Sequence, residues 1–359
     1  MKKVIKFPSI DQFKTVVSNI NRQHNFVGLD ENGEAIYDQT KPKPKIKFVG
    51  TVKGHGTHAD VVYNKIDGMW CQSRENIISA NGQDNAGFAF MAETNSQVFI
   101  SLIEQLAIEY RIDLNENSIA LPMEWAGGNI QKGVGLCNLP KSAFIFAHAK
   151  VAPFSDDEDT VNYWIPTIAN GKNISSPEHR IYNVMDYQTF EIDVDFNYPQ
   201  LSQNKIIEMT INVENECPIS KAFGFEKTIG EGIVFHYLAN AGELYMFKSK
   251  GELHSKSSKV TTLKPVDDVK INNIIETVNK VCVSWRLDQA LTSACDLMNG
   301  GTIDRKHLGN YIRLVIADVI KEESDTIAEA GLEPKDVNSK ISEVSRQYFF
   351  QRELDSIGL

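Results

Sequence analysis

The sequence predicts an α+β chain, built of antiparallel sheets with helices through residue 261 and all-α from 262 to 359. Three patterns say so. Short alternating or apolar runs recur between residues 45 and 250 at the two-residue period of strands. Beyond residue 262 the apolar residues recur at helical spacing instead. The helical pattern set among the strands does not alternate with them as an orderly βαβ repeat would.

Taken in order, strands are expected at Ile46 to Val52 and Ala59 to Tyr63. A helix follows from Asn95 to Tyr110, where Val98, Phe99, Leu102, Ile103 and Leu106 share a face. Further strands are expected at Ala143 to Ala147, Phe190 to Val194, Gly232 to Phe235 and Leu244 to Phe247. Residues 151–220 read either as an insertion or as extra strands. In the tail, Ile271, Ile274, Ile275, Val278, Cys282 and Trp285 mark one amphipathic face, and Leu308, Ile312, Val315 and Val319 another. Gly300-Gly301 separates these helices and Thr302 is placed to cap the second. A last helix is expected from Asp336 to Phe349, and the domain boundary near 262, after the Ser/Lys-rich Ser255 to Lys259.

At 359 residues the chain has length for about two domains and a large core. With 42% hydrophobic and 23% charged residues it is ordinary for a globular protein, and it has no apolar run long enough for a membrane helix. Met1-Lys2-Lys3 is followed by too short an apolar stretch for a signal peptide, so the expected compartment is the cytoplasm. Cys71, Cys137, Cys217, Cys282 and Cys295 are widely spaced with no Cys-x-x-Cys, which predicts reduced core residues rather than disulfides or structural zinc.

A net charge of −10 argues against a general nucleic-acid binder. The average hides lysine-rich segments at 41–65 and 246–259, which either meet on one face or guard solvated strand edges. Asp156 to Asp159 reads as a solvated loop.

The most informative segment is Val52-Lys53-Gly54-His55-Gly56-Thr57, between two predicted strands. A lysine at a strand end, beside a histidine and glycines that admit close approach of backbone to a ligand, suits a nucleophile. Alone it is equally an ordinary hairpin turn. Its weight comes from companions. Arg74 follows Ser73 in a turn before Ile77-Ile78. Glu124 sits among apolar residues ahead of Gly127-Gly128. Glu231-Gly232 heads an apolar strand, and Lys248-Ser249-Lys250 puts two lysines on one strand face.

In this order the segments resemble the covalent nucleotidyltransferases, most closely the RNA ligase 2 family. Lys53-Gly54-His55-Gly56-Thr57 is similar to that family's first motif, and Arg74 to the arginine after it. Glu124 resembles the third-motif glutamate, Glu231-Gly232 the fourth motif and Lys248-Ser249-Lys250 the fifth. The resemblance spans roughly residues 46 to 251, and the helical tail resembles the family's RNA-end-binding domain. The family's adenine-stacking aromatic and adjoining aspartate should fall in Phe144 to Lys150, where no aspartate stands. Phe146 is the expected stacking residue, with Phe144 as the alternative, and His148 stands in the acid's place.

The resemblance implies a nucleotidyltransferase domain, ATP-grasp-like in outline, in an ATP-dependent RNA ligase. Lys53 would take AMP from ATP, pass it to an RNA 5′-phosphate, and leave a 3′-hydroxyl to displace it. Val52, His55, Gly56, Arg74, Glu124, Phe146, Glu231, Lys248 and Lys250 would bind the nucleotide, with Glu231 holding Mg²⁺ or Mn²⁺. Lys248 and Lys250 are placed to favour the neutral nucleophile and to offset charge on the transferring phosphate. RNA ends are the expected partner, possible contacts in the tail being Arg305, Lys306 and Arg313, and a monomer without membrane attachment the expected state. Two other readings remain open: a DNA ligase or capping-type nucleotidyltransferase, and an end-binding protein that has lost catalysis.

Overall fold

A computed structural model of the chain describes residues 2–29, 33–154, 161–255 and 263–356. Asp156 to Asp159, Lys256, Lys259 and the boundary at 262 lie outside the described residues. The chain divides into two compact units. The first comprises Met1–Val17, Lys45–Val194 and Ser202–Lys264; the second comprises Ser18–Pro44, Asp195–Leu201 and Pro265–Leu359. A single cut near 262 therefore leaves two shorter segments of the second unit on the other side.

The first unit is α+β and holds two larger sheets. The eight-stranded one runs Tyr163–Pro166, His148–Pro153, Asn117–Ala126, Thr57–Asn64, Gly68–Ser73, Ile77–Ile78, with Ser142–Ile145 also on Asn117–Ala126. Ile181–Asn183 adds to Ser142–Ile145 in parallel, an exception to the antiparallel pattern expected from the sequence. The long excursion between those two strands supplies the crossover that a parallel pair needs. Helices Phe88–Thr94 and Ser96–Glu109 cover this sheet, and Phe99, Ile103 and Leu106 are fully buried in its core. The expected helix is there, with Asn95 and Tyr110 as its flanking caps.

The four-stranded sheet runs Thr189–Asp195, Lys45–Val52, Gly232–Leu238, Leu244–Lys250. Phe48, Phe235 and Phe247 pack together on its buried face, the last two stacked at 4.9 Å between ring centres. Lys45–Val52 is an inner strand, so Lys45 and Lys47 guard no edge; Lys47 pairs at 3.0 Å with Glu191 on the neighbouring strand. Residues 151–220 supply strands to both sheets and helix Gln203–Asn215, whose Thr210 hydroxyl donates to Ser249 at 2.8 Å. The described part of this segment thus belongs to the framework of the unit.

The second unit is mainly helical: Asp268–Val281, Ser284–Ala294, Leu308–Glu322, Ser324–Glu329 and Pro334–Ser356. Val278, Leu291, Tyr311, Val315, Val319, Ile341 and Phe349 form its core. A hairpin of Phe26–Leu29 and Ala35–Tyr37 also belongs to the unit, so it is not purely α. The face predicted to run from Ile271 to Trp285 breaks at Val283, whose extended backbone restarts the helical phase and leaves Trp285 62% exposed. Thr302 caps nothing; Asp304 accepts from the Lys306 N–H ahead of the Leu308 helix. The last helix exceeds its predicted span at both ends. Cys71, Cys217, Cys282 and Cys295 are buried thiols, but Cys137 is only half-buried. No helix among the described residues is long and apolar enough to cross a membrane.

Candidate functional site

Strand register brings the motif residues together. Lys45–Val52 ends just before Lys53, and residues 53–56 carry the chain from the four-stranded sheet into the eight-stranded one. The Lys53 N–H donates to the Gly232 carbonyl at 2.8 Å. Val52 lies opposite Ile233, Gly232 opposite Lys250, and Val234 opposite Lys248. Three adjacent strands thus deliver Lys53, Glu231, Lys248 and Lys250 to one place. Two glycines are required by this closeness. Gly232 sits at φ +146°, where a Cβ would strike the Ser249 carbonyl, and a Cβ on Gly56 would strike that of Trp125. The bare Gly56 N–H instead donates to Glu124 Oε1 at 2.7 Å.

Glu231 is the electrostatic centre. Its side chain is 2% exposed and accepts from Lys53 Nζ at 2.8 Å, contacts His55 Nδ1 at 3.0 Å, and pairs with Lys250 Nζ at 2.7 Å. These partners outweigh the cost of burial and hold its carboxyl far below the usual carboxylate range. Lys248 makes no ion pair among the described residues. Burial, then the fields of Lys250, Lys53 and Arg74, push its ammonium below the ordinary lysine value. For Glu124 burial dominates over the attraction of Lys53 and raises its pKa. The cluster has more cationic than anionic side chains and is built to receive an anion.

Two adjoining cavities open from Lys53. One is largely apolar, lined by Val52, Phe146, His148, Val234, His236 and Met246 among others. Phe146 reaches it because the ladder along Asn117–Ala126 is interrupted opposite Pro122, which has no N–H to give; the Phe146 N–H donates to the Pro122 carbonyl. Phe144, the alternative, is 1% exposed and stacked on Tyr182 away from this lining. His148 meets His236 edge to face, 4.7 Å between ring centres. Burial lowers the pKa of His148 to about 3 and that of His236 to about 4.

The second cavity, about 480 Å³, is polar, with Thr57, His58, Arg74, Asn76 and Asn85 in its wall. Arg74 projects from a turn closed by the Ser73 N–H and the Asn76 carbonyl. Sequence reasoning missed His58, which pairs with the buried Asp60 at 3.0 Å. Gln72 donates to the same carboxylate and exchanges two hydrogen bonds with the backbone of Ile5. The alternation of His58 and Asp60 on one strand face was the available signal. It also missed Phe7 and Ile10, which line both cavities from the N-terminal segment.

In the helical unit, Arg305 pairs with Glu353 and Lys306 with Asp304, so acids offset two of the three expected RNA contacts; Arg313 bonds Asn310. Among the described residues no group of three or more His, Cys, Asp or Glu side chains could cage a metal.

No protein-family model and no curated protein sequence matches the chain. Solved structures of Naegleria gruberi RNA ligase are similar to it. A lysine-to-alanine variant with ATP and Mn aligns at 16% identity and TM-score 0.39, covering 71% of this chain and 58% of that one. The ligase with PPi aligns at 17% identity and TM-score 0.37, covering 72% and 61%. The chain thus spans about three fifths of the ligase structures it matches.

Proposed function

We propose that the chain is an ATP-dependent RNA ligase of the covalent nucleotidyltransferase type, with Lys53 as the nucleophile. The observation that carries this reading is the convergence of Lys53, Glu231, Lys248 and Lys250 on adjacent strands, with Lys53 lining the cavity that Phe146 and Glu124 also line. The choice of RNA as substrate rests on the motif resemblance.

In this reading Lys53 Nζ attacks the α-phosphorus of ATP, a phosphorus–nitrogen bond forms and pyrophosphate leaves. An RNA 5′-phosphate oxygen then displaces Lys53 from the adenylyl phosphorus. A 3′-hydroxyl finally attacks the 5′-phosphorus and releases AMP. Lys248 and Lys250 offset the charge that gathers on the phosphate oxygens, the electrostatic work that dominates phosphoryl-type transfer. Arg74 and the polar cavity beside it take the RNA 5′-phosphate. Glu124 fixes the Gly56 turn through its backbone N–H and contacts the ribose.

The donor set fits a hydrated Mg²⁺ or Mn²⁺ better than a caged metal, because such ions bind through one or two carboxylates plus water and substrate phosphates. Glu231 would hold it, and the ion would neutralise triphosphate charge.

The test is intact-protein mass after incubation with ATP and Mg²⁺. The wild type gains one AMP, gains nothing from GTP, and the Lys53→Ala chain stays unmodified. Full labelling of Lys53→Ala by ATP would sink the proposal.

A further inference from the structure

The mechanism uses neither His236 nor His148, yet both are buried against the apolar cavity. His236 lies on strand Gly232–Leu238, two residues beyond Val234 and on the same face. Cross-strand register sets Lys250, Lys248 and Met246 opposite Gly232, Val234 and His236 in turn. The face therefore grades from charged to apolar over about 13 Å, at roughly 3.3 Å per residue. His236 stands at the apolar end, beyond the lysine that meets phosphate.

The Nε2 of His236 has no hydrogen-bond partner although it is fully buried. Native proteins rarely leave such an atom unpaired, because it costs free energy comparable to a lost hydrogen bond. Only 8% of the residue is exposed, and the rings of Phe146 and His148 share the cavity wall. A phosphate or sugar would gain little among such walls. A flat heterocycle with one polar edge would satisfy the nitrogen and lie against the rings.

Resting on the ligase reading above, we propose that His236 reads the nucleobase, its Nε2 accepting a hydrogen bond from the exocyclic amine of adenine. This is the tautomer with the proton on Nδ1, and it keeps a lone pair for the ligand. Its depressed pKa, about 4, keeps the ring neutral at pH 7. The edge-to-face contact at 4.7 Å makes His148 a positioning residue that holds the plane of His236. Selectivity for ATP over GTP follows, because the corresponding position of guanine carries an acceptor.

The experiment measures equilibrium binding to the full chain carrying Lys53→Ala, with Mg²⁺, so that no turnover intervenes. The two probes are ATP and purine riboside triphosphate, which lacks the amine. Where His236 is intact, ATP binds about tenfold more tightly than the analogue, the worth of one hydrogen bond. Adding His236→Leu brings ATP down to the analogue's affinity, and His236→Asn, which keeps an acceptor, restores discrimination. If the leucine variant binds ATP as before and still discriminates, another group reads the base and the inference fails alone. If ATP does not bind the Lys53→Ala chain at all, the inference falls together with the ligase reading.

Discussion

Each unit buries one charge among several of opposite sign, with opposite consequences. In the first, Glu231 is 2% exposed and is surrounded by Lys53, His55 and Lys250. In the second, Arg286 is 6% exposed and is flanked by Asp318 at 3.1 Å and Glu323 at 2.7 Å. The partners of Arg286 reach solvent, Asp318 being 45% exposed, and Arg286 Nη2 donates to Glu323 while its Nε and Nη1 make no hydrogen bond among the described residues. Of the partners of Glu231, Lys53 lines two cavities, and nearby Lys248 makes no ion pair among the described residues. A buried ion pair is therefore weak evidence of function by itself. The sign of the residual charge and the space beside it separate a binding site from a staple.

That contrast predicts the largest effects. Glu231→Gln leaves Lys53 and Lys250 in a half-buried cluster without their carboxylate, and breaking such a pair costs about 3 kcal/mol. Arg286→Met replaces a buried cation by an apolar chain of similar reach and frees carboxylates that water can reach, so the expected cost is below about 1 kcal/mol. Glu231→Gln should also abolish the AMP adduct, and Arg286→Met should leave it intact. Denaturant unfolding and intact mass of the two variants check this. Equal destabilisation, or loss of adduct in both, would break the comparison.

A second difference between the units appears as pH falls. His148 and His236 have folded pKa values depressed to about 3 and 4, so the unfolded chain binds more protons below its ordinary histidine value near 6.5. Their contribution is fully present above pH 6.5 and is lost as pH falls towards 4, at up to about 1.4 kcal/mol per pH unit for each ring. Glu323, lowered chiefly by its hydrogen bond to Arg286, loses its contribution only below the ordinary carboxylate range. Between pH 6.5 and 5, these groups weaken the first unit and spare the second. Tm against pH should show a flatter slope for His236→Leu than for wild type; identical slopes would contradict it.

How much was legible follows the same division. Lys53, Glu231, Lys248 and Lys250 stood out in the sequence through short local spacings, and sheet register brings them together. The sequence already prefers Phe146 to Phe144; the ladder interrupted at Pro122, which sets Phe146 in the cavity wall, is visible only in the structure. His58 and Asp60 escaped because a two-residue alternation of polar groups reads as a solvated strand face. His236 escaped because its meaning comes from an unpaired atom inside a cavity. In the helical unit, periodicity found the faces but not the break at Val283, where no glycine or proline marks the chain. The hairpin before Lys45 was missed because its strands are three and four residues long.

The smallest expected effect concerns the helix caps of the second unit. A hydroxyl after a glycine pair satisfied the sequence rule at Thr302, but the caps formed elsewhere. Asp267 begins helix Asp268–Val281 and accepts from the Lys270 N–H at 2.9 Å, the geometry that rewards an N-cap. Asp267→Ala should cost about 1 kcal/mol, while Thr302→Ala should change stability by less than about 0.5 kcal/mol. Paired denaturant melts resolve the difference if hydrogen exchange at the first turn of that helix is followed alongside. Faster exchange confined to 268–271 in the Asp267 variant would tie the loss to the cap. Because capping is local, neither substitution should alter adenylation, and a change in adduct formation would show that the helical unit influences the Lys53 site.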